Sequence, residues 1–118
     1  MEFRETDSIT AVSTPPGNGG ISIVRVSGEN IFDFVDQILL KRITPRTASF
    51  TSFFDSNEFI IDQGIAIYFP ASNSFTGQEV LELHCHGGHV ITDMIVTRCL
   101  ELGARMARPG EFTERAFL

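Results

Sequence analysis

Apolar and polar side chains alternate through Val80-Leu81-Glu82-Leu83-His84-Cys85-His86, a period-two pattern that predicts a strand. It sets Leu81, Leu83 and Cys85 on a core face and Val80, Glu82, His84 and His86 on the other. Gly87 and Gly88 permit a sharp turn into a helix over His89 to Leu102, where Ile91, Met94, Ile95, Cys99 and Leu102 form an apolar stripe and Gly103 takes the position just past the end. A carboxylate, two imidazoles and a helix N-terminus with free backbone N–H groups are thus expected at one end of a strand.

The same patterning places the other elements. Ser8 to Thr14 and Ile21 to Ser27 read as strands, with Arg25 in phase with Ile21 and Ile23, on a face that otherwise looks apolar. Ser27 is the expected N-cap of a helix whose buried face is Ile31, Phe32, Val35, Ile38 and Leu39. Thr47 to Phe54 and a long or interrupted strand over Phe59 to Phe69 follow, with Gly64 suited to a bulge. Ala104 to Ala107 suits a short edge strand, and Glu111 to Leu118 the opening of a further helix. That helix stops after two turns, so the chain is expected to be a piece of a longer protein.

Composition narrows the classes of function. A chain of 118 residues suits one domain, and no stretch approaches the ~20 apolar residues of a membrane span. Met1 to Asp7 is acidic and has no apolar core, so it does not read as a secretory signal, and a cytoplasmic location is expected. The net charge of −6 argues against nucleic-acid binding through a broad basic surface. Arg98, Arg105, Arg108 and Arg115 in the last quarter hint at a local positive patch. Cys85 and Cys99 lack C-x-x-C spacing and read as free thiols.

Four places carry candidate chemistry. The breaker cluster Pro15-Pro16-Gly17-Asn18-Gly19-Gly20 could let backbone amides approach an anion, but it lacks the Lys-Ser/Thr of a Walker loop and is not G-x-G-x-x-G. Arg25, if it lies on a core face, needs an acid or a ligand, and Glu82 is the acid at hand. Glu82, His84 and His86, with His89 beyond the turn, are ligand types suited to zinc or another divalent metal. Satisfied imidazoles without a metal are the plain alternative. A third reading gives Glu82 two parallel hydrogen bonds from the aminopyrimidine edge of an organic ligand such as a pterin. Phe75, alone in a polar loop, suits either a ligand platform or a residue tucked onto the core.

Five ordered motifs then carry a family resemblance. They are Thr14-Pro15-Pro16-Gly17-x-Gly19-Gly20-Ile21; Arg25 with Ser27-Gly28; Ser74-Phe75-Thr76-Gly77; Leu81-Glu82-Leu83-His84-Cys85-His86-Gly87-Gly88; and Ala107 through Leu118. Together they resemble the N-terminal domain of the tRNA-modification GTPases of the MnmE (TrmE) family, over essentially the whole chain. The resemblance implies an α+β fold, a mixed β-sheet with two main helices packed on it, similar to the tetrahydrofolate-binding domains of aminomethyltransferases. It implies one domain over residues 1–118, a homodimer, and 5-formyl- or methylene-tetrahydrofolate as a one-carbon donor.

The family's folate contacts carry over onto Arg25 and Glu82. Gly19, Gly20 and His86 form a secondary set, no metal is implied, and no catalytic residue is assigned. In the family the full-length protein works with the flavoprotein MnmG on tRNA, building the carboxymethylaminomethyl or aminomethyl group on C5 of the wobble uridine. GTP, Mg2+ and K+ belong to a G domain absent here, so this domain alone is expected to bind ligand without turnover. The chain departs from the family pattern at Asn18, where an arginine is usual, and at Gln78, where an acid is usual. A family lysine in the segment after Leu118 is missing. Two other classes remain beside this reading, a purely structural dimerisation module and a metal-dependent enzyme using Glu82, His84 and His86.

Overall fold

A computed structural model describes residues 7–13, 20–71, 76–86 and 88–116. The expectations for Thr14 to Gly19, Phe75, Gly87 and the last two residues lie outside them. The elements run β1 (Ile9–Ser13), β2 (Ile21–Gly28), α1 (Phe32–Leu39), β3 (Ser49–Phe54), β4 (Ile60–Phe69), β5 (Glu79–His86), α2 (His89–Glu101), β6 (Arg105–Met106) and α3 (Glu111–Ala116). The strands form one sheet in the order β3-β4-β5-β2-β1-β6. β6 runs parallel to β1 and every other neighbouring pair is antiparallel. The fold is α+β, a mixed sheet carrying helices, as the family resemblance implied.

The register explains why one face is core and the other is not. Val24 lies opposite Val12 and Leu83, Leu83 opposite Ala66, and Val26 opposite Leu81, which in turn faces Tyr68. All of these but the exposed Val12 cluster with Ile31 just before α1, with Phe34, Val35, Ile38 and Leu39 of α1 and with Ile95 and Cys99 of α2, so both helices cover the same face. Each fully buried Leu or Ile there contributes about 1.5–3 kcal/mol. The opposite rows are Ser13, Ile23, His84, Ile65 and Phe50; Ala11, Arg25, Glu82 and Ile67; and Ile9, Ser27, Val80 and Phe69. Arg25 therefore stands outside the core, and its in-phase neighbour Ile21 is 45% exposed. At one end this second face is closed, because Ile9, Ser27 and Val80 are buried. Val80 is thus a packed residue, not part of an open site.

Several local expectations are corrected. Ser27 does not cap α1, because β2 continues through Gly28 and the helix begins only at Phe32. Ser27 Oγ instead shares a 2.8 Å hydrogen bond with Thr76 Oγ1, and Glu79 Oε1 accepts from the Ile31 N–H at 3.1 Å just before the helix. Gly64 is not a bulge. Its missing side chain leaves room for a neighbouring strand, since a Cβ there would sit 2.0 Å from the His84 carbonyl oxygen. The register shifts at Phe53/Phe54 instead. On α2 the buried positions are Thr92, Ile95, Arg98 and Cys99, while Met94 of the expected stripe is exposed.

Candidate functional site

β2 and β5 are adjacent and antiparallel, and their register sets Arg25 directly across from Glu82. The pair expected from strand phase is made, with Arg25 Nε donating to Glu82 Oε2 at 3.0 Å. Period-two geometry puts His84 on the same face as Glu82, and its Nε2 meets Glu82 Oε1 at 2.9 Å. An ionised carboxylate accepts only, so the ring carries its proton on Nε2. Both Glu82 oxygens are held, and each keeps a further lone pair. The side chains remain partly open, at 35% exposure for Arg25, 16% for Glu82 and 27% for His84.

His86 does not join them. Asp62 on β4 accepts from the His86 backbone N–H at 2.8 Å and pairs with its Nδ1 at 3.0 Å. Burial raises the Asp62 pKa, but the His86 and Gln63 backbone N–H groups and the His86 ring hold it below its ordinary value. The expected carboxylate with two imidazoles is thus two separate pairs, Glu82 with His84 and Asp62 with His86. Among the described residues no group of three His, Cys, Asp or Glu is arranged to hold a metal. Sequence pattern missed Asp62 because only the pairing of β4 with β5 brings it to His86. Gly20 is exposed ahead of β2, and Gly19 lies outside the described residues.

Beside Arg25 runs a cleft of about 360 Å³ between β1 and the connection from β6 into α3, lined by Ala11, Ser13, Arg25, Ala107, Arg108, Pro109 and Phe112 among others. Its outer wall is fixed by Glu111, whose side chain is 1% exposed. Arg105 donates to both Glu111 oxygens at 2.9 and 2.7 Å, the Arg108 backbone N–H donates at 2.8 Å, and Arg115 at 3.3 Å. Arg105 also binds Asp7 at 3.0 Å, and Arg115 binds Gln78 Oε1 and the Asp7 carbonyl, each at 2.8 Å. These bonds, Arg105 first, outweigh burial and hold the Glu111 carboxyl down to about 2. The expected C-terminal positive patch is instead a paired network, in which Arg105, Arg108 and Arg115 meet Glu111 with Asp7 and Glu114 as further acids. Arg98 is also drawn in, 9% exposed, with Glu101 at 3.5 Å.

The two thiols are free and buried. Burial pushes Cys99 up to about 12 and raises Cys85 as well. Cys85 Sγ donates to the Ser22 carbonyl at 3.4 Å on the core face, away from Glu82.

Comparison with known proteins adds a family to this geometry. Residues 8–118 match the family model described as "GTP-binding protein TrmE N-terminus". A tRNA modification GTPase MnmE of Nitrosomonas eutropha is 55% identical over 98% of the chain, and that of Methylococcus capsulatus is 54% identical over all 118 residues of the chain. The protein of the same name from Nitrosomonas europaea is 57% identical over 98% of the chain. The chain spans about a quarter of these relatives, 26% of each.

Proposed function

The chain belongs to the TrmE N-terminal family, and from that membership we propose that it is the folate-binding and dimerising domain of a tRNA-modification GTPase. The relatives carry that enzyme's name. In this reading residues 1–118 are one domain that binds 5-formyl- or methylene-tetrahydrofolate, and the folate, when bound, supplies a one-carbon unit. GTP hydrolysis, with Mg2+ and K+, belongs to the part of the relatives that this chain does not span. The full-length protein acts in the cytoplasm with the flavoprotein MnmG on the wobble uridine of tRNA.

The observation that carries the reading is the Arg25–Glu82 pair, of which Arg25 lines the cleft and Glu82 lies one strand further in. The residues present fit the ligand. Glu82 keeps one free acceptor site on each oxygen, matching the two parallel N–H donors of a pterin's aminopyrimidine edge. Its ionised form makes those bonds charge-assisted. The cleft of about 360 Å³ falls within the range of small-molecule sites and brings the apolar surface of Phe112 and Pro109 next to Arg25. Arg25 orients Glu82 from across the sheet and, 35% exposed, is open to the ligand as well. The chain's own residues thus bind and orient, and none of the described side chains is assigned a bond-making step.

Self-association is supported by the second sheet face, where Phe50 is 66% and Ile21 45% exposed. No helix of the chain is long and apolar enough to cross a membrane among the described residues. Calorimetric titration with 5-formyltetrahydrofolate in EDTA tests the site. Saturable binding that Glu82→Ala abolishes and Arg25→Ala weakens at least tenfold is expected. Binding that survives both substitutions, or that EDTA removes, would overturn it.

A further inference from the structure

We infer that His84 is a positioning residue of this site: it locks the Glu82 carboxylate in the plane that a ligand with paired N–H donors requires. The inference rests on the folate reading above and adds a residue to it. Glu82 has three rotatable side-chain bonds, and a lone contact from Arg25 would leave its second oxygen unfixed. The geometry supplies the missing restraint, since His84 Nε2 holds Oε1 at 2.9 Å while Arg25 Nε holds Oε2 at 3.0 Å. One donor comes along β5 from two residues away and the other from β2 opposite, so the carboxylate is restrained along two directions.

The imidazole is restrained in turn. Ile23 lies opposite His84 on β2 and Ile65 opposite it on β4, and the three share the second face. Its neighbours across both strand pairs are apolar, and among the described residues the acceptor the ring meets is Glu82. Fixing a flexible acceptor before the ligand arrives removes an ordering cost from binding, so the restraint appears as affinity. His84 need not touch the ligand to do this.

The experiment is calorimetric titration of the chain with 5-formyltetrahydrofolate, comparing the unsubstituted protein with His84→Ala, His84→Asn, His84→Gln and Glu82→Gln, with folding of each checked by cooperative thermal unfolding. His84→Ala and His84→Asn, the latter too short to reach Glu82, are each expected to bind up to about tenfold more weakly, the scale of ordering one flexible side chain on binding. His84→Gln, which can reach and keeps an N–H donor, is expected within about threefold of the unsubstituted protein, a rescue that a packing role would not give. Should Ala fail to fold, the Asn and Gln pair gives the same comparison.

The inference is overturned if His84→Ala or His84→Asn binds as tightly as the unsubstituted protein, or if His84→Gln binds as weakly as they do. If those results come while Glu82→Gln abolishes binding, the His84 role alone fails. If the unsubstituted protein does not bind, the folate reading fails and the His84 role with it.

Discussion

Replacing Glu111 by Gln keeps the shape of the side chain and removes the anion on which Arg105, Arg108 and Arg115 converge. The size of the effect follows from the carboxyl's own titration. Its ordinary value of 4.5 falls to about 2 in the folded chain, with Arg105 the first cause and burial opposing. At about 1.4 kcal/mol per tenfold change, that gap is worth about 3 kcal/mol of stability. Asp7, still 3.0 Å from Arg105, tempers the loss by leaving one guanidinium paired. The folded value lies below the unfolded one, so the contribution is complete above pH 4.5 and drains away as pH falls toward 2.

Urea unfolding of the unsubstituted protein and Glu111→Gln at pH 7 and pH 2.5 reads this out. We expect a deficit of about 3 kcal/mol at pH 7, equivalent to a Tm lower by about 12 °C, that shrinks to under about 1 kcal/mol at pH 2.5. A deficit below about 0.5 kcal/mol at pH 7, or one that stays constant with pH, refutes the reasoning. Because Glu111 also holds the wall of the cleft, the variant is further expected to bind folate more weakly.

Further predictions concern the sheet and the thiols. Gly64→Ala forces a methyl to 2.0 Å from the His84 carbonyl, and a loss of more than about 3 kcal/mol or failure to fold is expected; near-normal denaturation would contradict that close approach. Asp62→Asn loses the ionised acceptor of both His86 hydrogen bonds. It should destabilise at pH 7 by about 1–2 kcal/mol, and because the Asp62 value is lowered, the loss should fade as pH drops below 3.8. Cys85 and Cys99, buried and with raised values, should resist iodoacetamide at pH 8 until denaturant is added; fast labelling of the native chain would show an opening that the fold does not contain.

What was legible in the sequence was whatever is local. Alternation along Val80 to His86 gave the strand, its faces and the chemistry of Glu82, and a neighbour-free argument about Arg25 pointed to Glu82 as its partner. What was not legible depended on pairing. Ser27 looks like a helix cap because its local context is Ser-Gly-Glu, yet the ladder to β5 holds it in β2 and Glu79 serves the helix start from a distant strand. Gly64 carries no sign of the His84 carbonyl that crowds it. Arg105, Arg108 and Arg115 read as a basic patch although Glu111 stands within a turn of two of them, because nothing local shows Arg105 swinging onto that carboxylate or Asp7 folding in from the other end of the chain. His86 parted from Glu82 for the same reason, since Asp62 reaches it only through the β4–β5 register.

Whether the face bearing Arg25 and Glu82 takes up a folate is read by mapping backbone amide shifts during titration with 5-formyltetrahydrofolate. The largest changes are expected on Arg25, Glu82, His84, Ala107, Arg108 and residues 110–112 around the cleft, with α1 and α2 little affected. Changes concentrated on the helix-covered side, or no change at saturating ligand, would contradict the folate reading.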